Sequence, residues 1–269
     1  MAASEAPRTA LVTGASAGIG RALARAFATA GHDLVLVARR GDVLRALAEE
    51  LRAAHRIRAC DVPLDLTAPG SVDALLAALA ERRLSVDVLV NNAGVLEAGA
   101  FRMTEPEALA RMVELNVGVP TLLTRALLDP MLARGWGRVL NVASVAGFQP
   151  VPGIGAYAAT KAYVLSLTES LAEELRGTGV CVTALCPGLT DTDMAQQVGR
   201  VNPGLQIPRA LLADVDEVAR EGVDACLRGE VLRVPGVANR LGTLWSQLQP
   251  RWLVRTLGGV VGRRLLADR

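Results

Sequence analysis

What most constrains this chain is an alternation of two patterns. Short apolar runs, rich in Val, Leu and Ala, recur between segments of helical periodicity. TALVTG (9–14) precedes a helical stretch over 18–30, DLVLVAR (33–39) precedes GDVLRALAEELRAAH (41–55), and RACDVPLDL (58–66) precedes SVDALLAALAERR (71–83). VDVLVNNAG (86–94) precedes a long helix over 105–133, and GRVLNVAS (137–144) a helix over about 155–176. VCVTALCPG (180–188) and EVLRVPG (230–236) supply further strands. The runs are apolar without a break at every second position. Strands of that kind are covered on both faces, as in a parallel sheet flanked by helices. The expected architecture is a doubly wound α/β fold of Rossmann type, with a mostly parallel sheet and helices on both faces. No repeat, low-complexity block or linker interrupts it, so one domain over 1–269 is expected.

Sheets of this type bind ligands beyond the carboxyl ends of their strands. TGASAGIG, VARR, PLDL, NNAG, VAS and CPG each begin where a strand ends. All six are therefore expected along one edge of one sheet.

Composition removes other classes. A formal net charge of +2 over 269 residues implies no nucleic-acid partner. Cys60, Cys181, Cys186 and Cys226 form neither a C-x-x-C pair nor a His/Cys cluster, and His32 and His55 stand far from every motif. No metal site is expected, and the cysteines read as small buried residues of a reducing compartment. The segment MAASEAPR lacks a signal-peptide core, and no apolar run is long enough to cross a bilayer. The expectation is a cytoplasmic protein.

The stretch TGASAGIG (13–20) follows the first strand and opens a helix. Gly14, Gly18 and Gly20, with Ile19 between the last two, allow a tight turn and close approach of backbone to a ligand. The helix start offers free N–H groups and a positive dipole end to a pyrophosphate. At the end of the second strand an acid would hold ribose hydroxyls and repel a 2′-phosphate. Here Arg39 and Arg40 follow Ala38 instead. A guanidinium can pair with a phosphate bidentately, and Ser16 can add a hydrogen bond. NADP(H) is thus expected over NAD, with Arg39 as the main support and Arg40 open to being a solvated cation.

Lys161 is the only lysine in a chain with 28 arginines, and it lies four residues after Tyr157, one of only two tyrosines. On a helix the two share a face. A nearby ammonium favours the phenolate and is expected to lower the tyrosine pKa. A compact ammonium with three donors can also hold ribose hydroxyls, which a planar guanidinium does less readily. Ser144 ends the strand upstream, where its hydroxyl can reach a carbonyl oxygen at the same sheet edge.

These residues together resemble the short-chain dehydrogenase/reductase family in its compact branch. The resemblance rests on Thr13 to Gly20, Asn91 to Gly94, Asn116 in ELNVG, Ser144, Tyr157 to Lys161, and Pro187-Gly188 followed by Thr192. It implies hydride transfer between a nicotinamide and a ketone, aldehyde or secondary alcohol. It implies Tyr157 as acid or base, Ser144 as carbonyl orienter, Lys161 as tuner of Tyr157 and ribose ligand, and Asn116 as holder of a relay water. It further implies Asp65 and Leu66 beside the adenine, Asn92 and Gly94 beside the adenosine ribose, and Pro187, Gly188, Leu189 and Thr192 along the nicotinamide. A homodimer or homotetramer built on the helices at 105–133 and 155–176 would follow. Two departures stand out: Ala143 where many members have a serine, and Ala17 where some NADP users have a basic residue. The alternatives are a membrane-surface reductase of lipid-like substrates and a non-catalytic NADP-sensing or scaffold protein on the same fold, though the second would have no need of all four residues Asn116, Ser144, Tyr157 and Lys161.

Substrate choice is expected in 189–235, with Phe148, Val151, Pro152 and Met194 as a possible apolar wall for an apolar carbonyl compound. The tail over 237–269 carries apolar residues at helical spacing (Leu241, Leu244, Trp245, Leu248), then Trp252, Leu253, Leu257, Val260 and Val261, with six Arg and one Asp. Such a segment is expected to pack its apolar face on the domain or on another subunit. A membrane surface is the other reading.

Overall fold

The computed structural model describes residues 7–190, 212–250 and 252–256. Among the described residues, seven strands form one parallel sheet: β1 (Thr9–Thr13), β2 (Asp33–Ala38), β3 (Ala59–Pro63), β4 (Val88–Asn91), β5 (Gly137–Val142), β6 (Val180–Leu185) and β7 (Leu232–Arg233). Their order is β3-β2-β1-β4-β5-β6-β7. The direction of winding reverses between β1 and β4, which places a crevice beyond their carboxyl ends. The helices that accompany the sheet among the described residues include α1 (Gly18–Thr29), α2 (Gly41–His55), α3 (Ser71–Glu81), α4 (Pro106–Val113), α5 (Val119–Ala133), α6 (Gly155–Glu174), α7 (Val215–Arg228) and α8 (Val237–Leu248).

The unbroken apolar runs have the expected cause. Ala10 and Val12 of β1 turn to one face, into a core shared with Leu23 and Phe27 of α1, Leu44 and Leu51 of α2, and Val218 and Val223 of α7. Leu11, between them, turns to the opposite face and meets Leu75 of α3, Leu123 and Met131 of α5, and Val139 of β5. A strand buried on both sides has no solvent face to make polar.

The structure departs from the sequence reading in three places. The long helix expected over 105–133 is divided: between α4 and α5, Glu114–Gly118 forms a wider π turn in which the Val119 N–H bonds to the Glu114 carbonyl. Pro120 has no N–H to return to the carbonyl of Asn116, so a regular turn cannot close there. The last strand is also shorter than EVLRVPG suggested, with two residues paired to Ala184 and Leu185.

The third departure concerns α8, whose apolar face does not pack on its own domain, the first of the two places expected for it. Its polar side faces the protein, with Ser246 buried and Asn239 and Thr243 half-buried, while Val237, Leu241, Leu244, Trp245 and Leu248 are exposed. The inward side lies against the turn at Val145–Phe148 and the backbone at Gly188, where Asn239 occupies the space a Cβ would need. Asn239 donates to the Pro235 carbonyl (2.9 Å) and Ser246 to the Thr243 carbonyl (2.8 Å), so these polar groups stay paired. The apolar repeat is thus not what attaches the helix to the domain. Beyond it, Val254 is buried, and 257–269 lie outside the described residues.

A polar seam ties sheet to helices. Asn91 donates to Thr124 (3.0 Å) and to Asn141 (2.9 Å), its partner in register on β5, and Asn141 donates to Thr168 (2.9 Å). In a dry interior such bonds permit few other placements of α5 and α6 on the sheet.

Candidate active site

The glycine loop is braced from β4. Thr13 Oγ1 donates to the Val90 carbonyl (3.0 Å) and accepts from the N–H groups of Asn92 (2.9 Å) and Ala93 (3.0 Å). Asn92 Nδ2 returns a bond to the Thr13 carbonyl (2.8 Å) and a longer one to that of Gly14 (3.4 Å). Gly14 has φ +68°, and a Cβ on it would stand 2.7 Å from Asn92 Nδ2. A Cβ on Gly20 would overlap both that amide and the Gly14 carbonyl oxygen. α1 opens at Gly18 with no side-chain cap and no acid in its first turn. Its leading N–H groups and dipole are therefore left for an anion, and a pyrophosphate fits this bare cradle. Ile19 packs half-buried against the core behind it.

Three arginines stand at this edge. Arg40 donates to both the carbonyl and the hydroxyl of Ser16 (3.1 Å each), and Arg21 donates to the same carbonyl (2.6 Å). Arg39 is exposed beside Asp65, which makes it the freer of the pair that follows β2. The Asp65 carboxylate accepts from the N–H (3.0 Å) and hydroxyl (2.8 Å) of Thr67. Those bonds, and more weakly the charge of Arg39, hold its pKa below the usual carboxylate value. Leu66 is buried next to it.

Beyond β5 the reactive candidates converge. Tyr157 and Lys161 lie on the buried side of α6 at 8% and 5% exposure. Lys161 Nζ donates to the Val142 carbonyl (2.8 Å) and stands 5.6 Å from the centre of the Tyr157 ring. Among the described residues it has no carboxylate partner, and burial lowers its pKa to about 8. Burial pushes Tyr157 up to about 12, against the opposing effect of a hydrogen bond with Ser144. This corrects the expectation that the ammonium dominates: within the protein itself desolvation is the larger effect on the phenol. Ser144 is extended at the end of β5 and accepts from the Ala146 N–H (3.1 Å).

Asn116 sits in the π turn, 2% exposed. Its Oδ1 accepts from the Val95 N–H (2.9 Å), and its Nδ2 donates to the Val95 carbonyl (2.9 Å) and to Thr160 (3.1 Å). Thr160 in turn donates to the Tyr157 carbonyl (2.7 Å). Thr160 is a link that the sequence reading passed over, although it stands inside AYAATKAY. Gly94 lies against the same group: a Cβ there would be 3.1 Å from Asn116 Oδ1 and 3.7 Å from Lys161 Nζ. The Pro187 carbonyl accepts from the Val145 N–H (3.0 Å), joining the loop after β6 to the Ser144 turn. Gly188 faces Asn239, and Leu189 is half-exposed with its carbonyl accepting from the Ala213 N–H (2.8 Å). Thr192 and Met194 lie outside the described residues.

An apolar wall adjoins Tyr157. Met112, Ala146 and Ala158 are buried with it, and Val95, Leu96, Val151 and Ile154 are partly buried on the same cluster. Val151 was expected there. Phe148 joins the neighbouring cluster of Ala143, Val164 and Leu165, and Pro152 is half-buried beside Val151. A cavity of about 790 Å³ lies elsewhere, between the loop at 67–73 and α5, lined by Asp73, Glu114, Leu122 and Arg125. None of the reactive candidates borders it.

The parallel sheet, the reversal point and the glycine turn define a Rossmann-type α/β protein. The family model described as short chain dehydrogenase matches residues 8–202, and the chain belongs to that family of oxidoreductases. A short chain dehydrogenase of Pseudocercospora fijiensis is 38% identical over 204 residues, 75% of this chain and 65% of that protein's length. A short-chain dehydrogenase from Sphingobium yanoikuyae, solved in complex with NADPH, is 36% identical with a TM-score of 0.78, covering 88% of this chain and 92% of that one. The bulky-bulky ketone specific alcohol dehydrogenase from Comamonas testosteroni is 33% identical with a TM-score of 0.76, covering 94% and 93%.

Proposed function

We propose that this chain is an NADP(H)-dependent oxidoreductase that interconverts an apolar ketone or aldehyde with its alcohol. The observation that carries the reading is the convergence of Ser144, Tyr157, Lys161 and Asn116 beside one bare glycine cradle. The reduced nicotinamide, when bound, would supply the hydride that reaches the carbonyl carbon. The chain's own residues would do the rest. Ser144 donates a hydrogen bond to the carbonyl oxygen and aims it at Tyr157. Tyr157 gives its phenolic proton to that oxygen as negative charge builds there, which leaves an alcohol and a phenolate. Lys161 stabilises the phenolate, and donors beyond the one committed to Val142 are available to ribose hydroxyls.

The proton is replaced from solvent. The Asn116 amide is occupied by Val95 and Thr160, and Pro120 cannot donate to the Asn116 carbonyl. We assign the relay water to that carbonyl rather than to the side chain. Burial keeps the Tyr157 phenol protonated at rest but also makes it a weaker acid, so release of its proton depends on the charge of Lys161 and on the negative charge that builds on the substrate oxygen. Arg39 and Arg40 after β2, with no acid in the strand's last turn, support NADP(H), as does the NADPH complex of the Sphingobium relative. The wall of Val95, Leu96, Val151 and Ile154 supports an apolar substrate.

The test is NADPH oxidation with a panel of bulky and small ketones. Wild type should turn over at least one bulky ketone, and faster with NADPH than with NADH. Tyr157→Phe should lose roughly 10³-fold or more in kcat while binding NADPH about as well as wild type. A variant that keeps its rate would end the assignment of Tyr157, and no oxidation of NADPH or NADH with any member of the panel would end the reading as a whole.

A further inference from the structure

The outward face of α8 is the part of the described surface that the proposed chemistry leaves unexplained. Amphipathic helices of water-soluble domains turn their apolar stripe inward. This one does the reverse. Val237, Leu241, Leu244, Trp245 and Leu248 fall within about 100° of the helix circumference at 100° per residue. They are 72%, 63%, 57%, 47% and 74% exposed, and Trp252 follows at 62%. Inward-facing Asn239, Thr243 and Ser246 each donate to a carbonyl about one turn back along the chain, so the polar side can be covered by the domain without leaving these donors unpaired.

Charge identifies what can cover the stripe. Residues 237–269 hold six arginines and one aspartate, whereas the whole chain holds 29 basic and 27 acidic residues, so the remainder is net acidic. Arg240 and Arg255 are exposed in the same segment as the stripe. Two of the three tryptophans stand on it; the third, Trp136, is stacked under Arg8 and Arg138 far along the chain. Exposed leucines flanked by tryptophan and arginine match the boundary between acyl chains and anionic headgroups. No helix of the described residues is long and apolar enough to cross a membrane, so the contact is one of lying on the surface. A second copy of this chain would instead bring the like charges of Arg240 and Arg255 to the same contact.

We infer that α8, with Arg240, Trp252 and Arg255, binds the surface of an anionic phospholipid membrane. The turn against which α8 packs carries the residues next to Ser144, so attachment there would hold the candidate site close to the bilayer.

The full chain should be mixed with vesicles of phosphatidylcholine alone and of phosphatidylcholine with phosphatidylglycerol, then sedimented. Binding should be strong to the anionic vesicles at low salt, at least about tenfold weaker to the neutral ones, and reduced by high salt. Tryptophan emission should shift to the blue on binding. Leu241→Glu/Leu248→Glu should lose roughly tenfold or more of the partitioning while keeping the wild-type circular dichroism and melting temperature, because both side chains are exposed. Failure to sediment with anionic vesicles at low salt would overturn the proposal, as would equal binding by the double variant. A concentration-dependent larger species in light scattering that the double variant loses, without vesicle binding, would show that a second copy covers the stripe.

Discussion

Lys161 is a cation placed where water has been taken from it. Its only hydrogen bond among the described residues is to the Val142 carbonyl, and its pKa falls to about 8. The sign of the consequence is fixed by linkage. Between about 8 and 10.5 the unfolded chain keeps this proton and the folded chain releases it, so this group's contribution makes stability rise with pH across that window. The buried thiols Cys186 and Cys226, both pushed up to about 12, act in the opposite direction. The prediction is therefore made on a difference. The unfolding free energy of wild type minus that of Lys161→Met should rise by on the order of 2 kcal/mol between about pH 8 and 10, measured by urea titration. A flat difference would mean that the ammonium is solvated. The choice of lysine was legible because the chain uses arginine everywhere else. Its desolvation was not, since burial of one side chain depends on α6, β5 and the loop after β6 arriving together.

At the scale of elements, the βα turn after β1 shows how a local pattern and a distant brace combine. Three glycines at fixed offsets marked the loop. They did not reveal that Asn92, nearly eighty residues on, fills the space beside Gly14 and Gly20. Gly14→Ala meets two obstacles, a left-handed backbone and the Asn92 amide. It should cost about 1–2 kcal/mol in thermal or urea unfolding and weaken NADPH binding by tenfold or more, read by fluorescence titration. Unchanged binding would place the dinucleotide elsewhere. The π turn at Glu114–Gly118 was hidden for a different reason. An apolar period near 3.6 continues through a single widened turn, and only the loss of the Pro120 N–H hints at it.

Across the whole molecule, α5 and α6 are linked where Thr121 donates to the Tyr163 hydroxyl (3.2 Å), and Leu122 and Tyr163 on these helices are 52% and 42% exposed. We propose this surface as the contact of a homodimer or homotetramer. Leu122→Arg should then move the protein to monomer mass in light scattering, with its melting curve lowered by loss of the partner; an unchanged mass would exclude this face. The sequence by itself determined the class of fold, the edge where the motifs gather and the kinds of groups found there, because periodicity and strand ends are local properties. Only the tertiary structure decided that Arg40 closes on Ser16, that burial governs Tyr157 and Lys161, and that α8 turns its apolar stripe outward. Those outcomes depend on which distant segments displace water from which, and the local pattern around these residues does not carry that information.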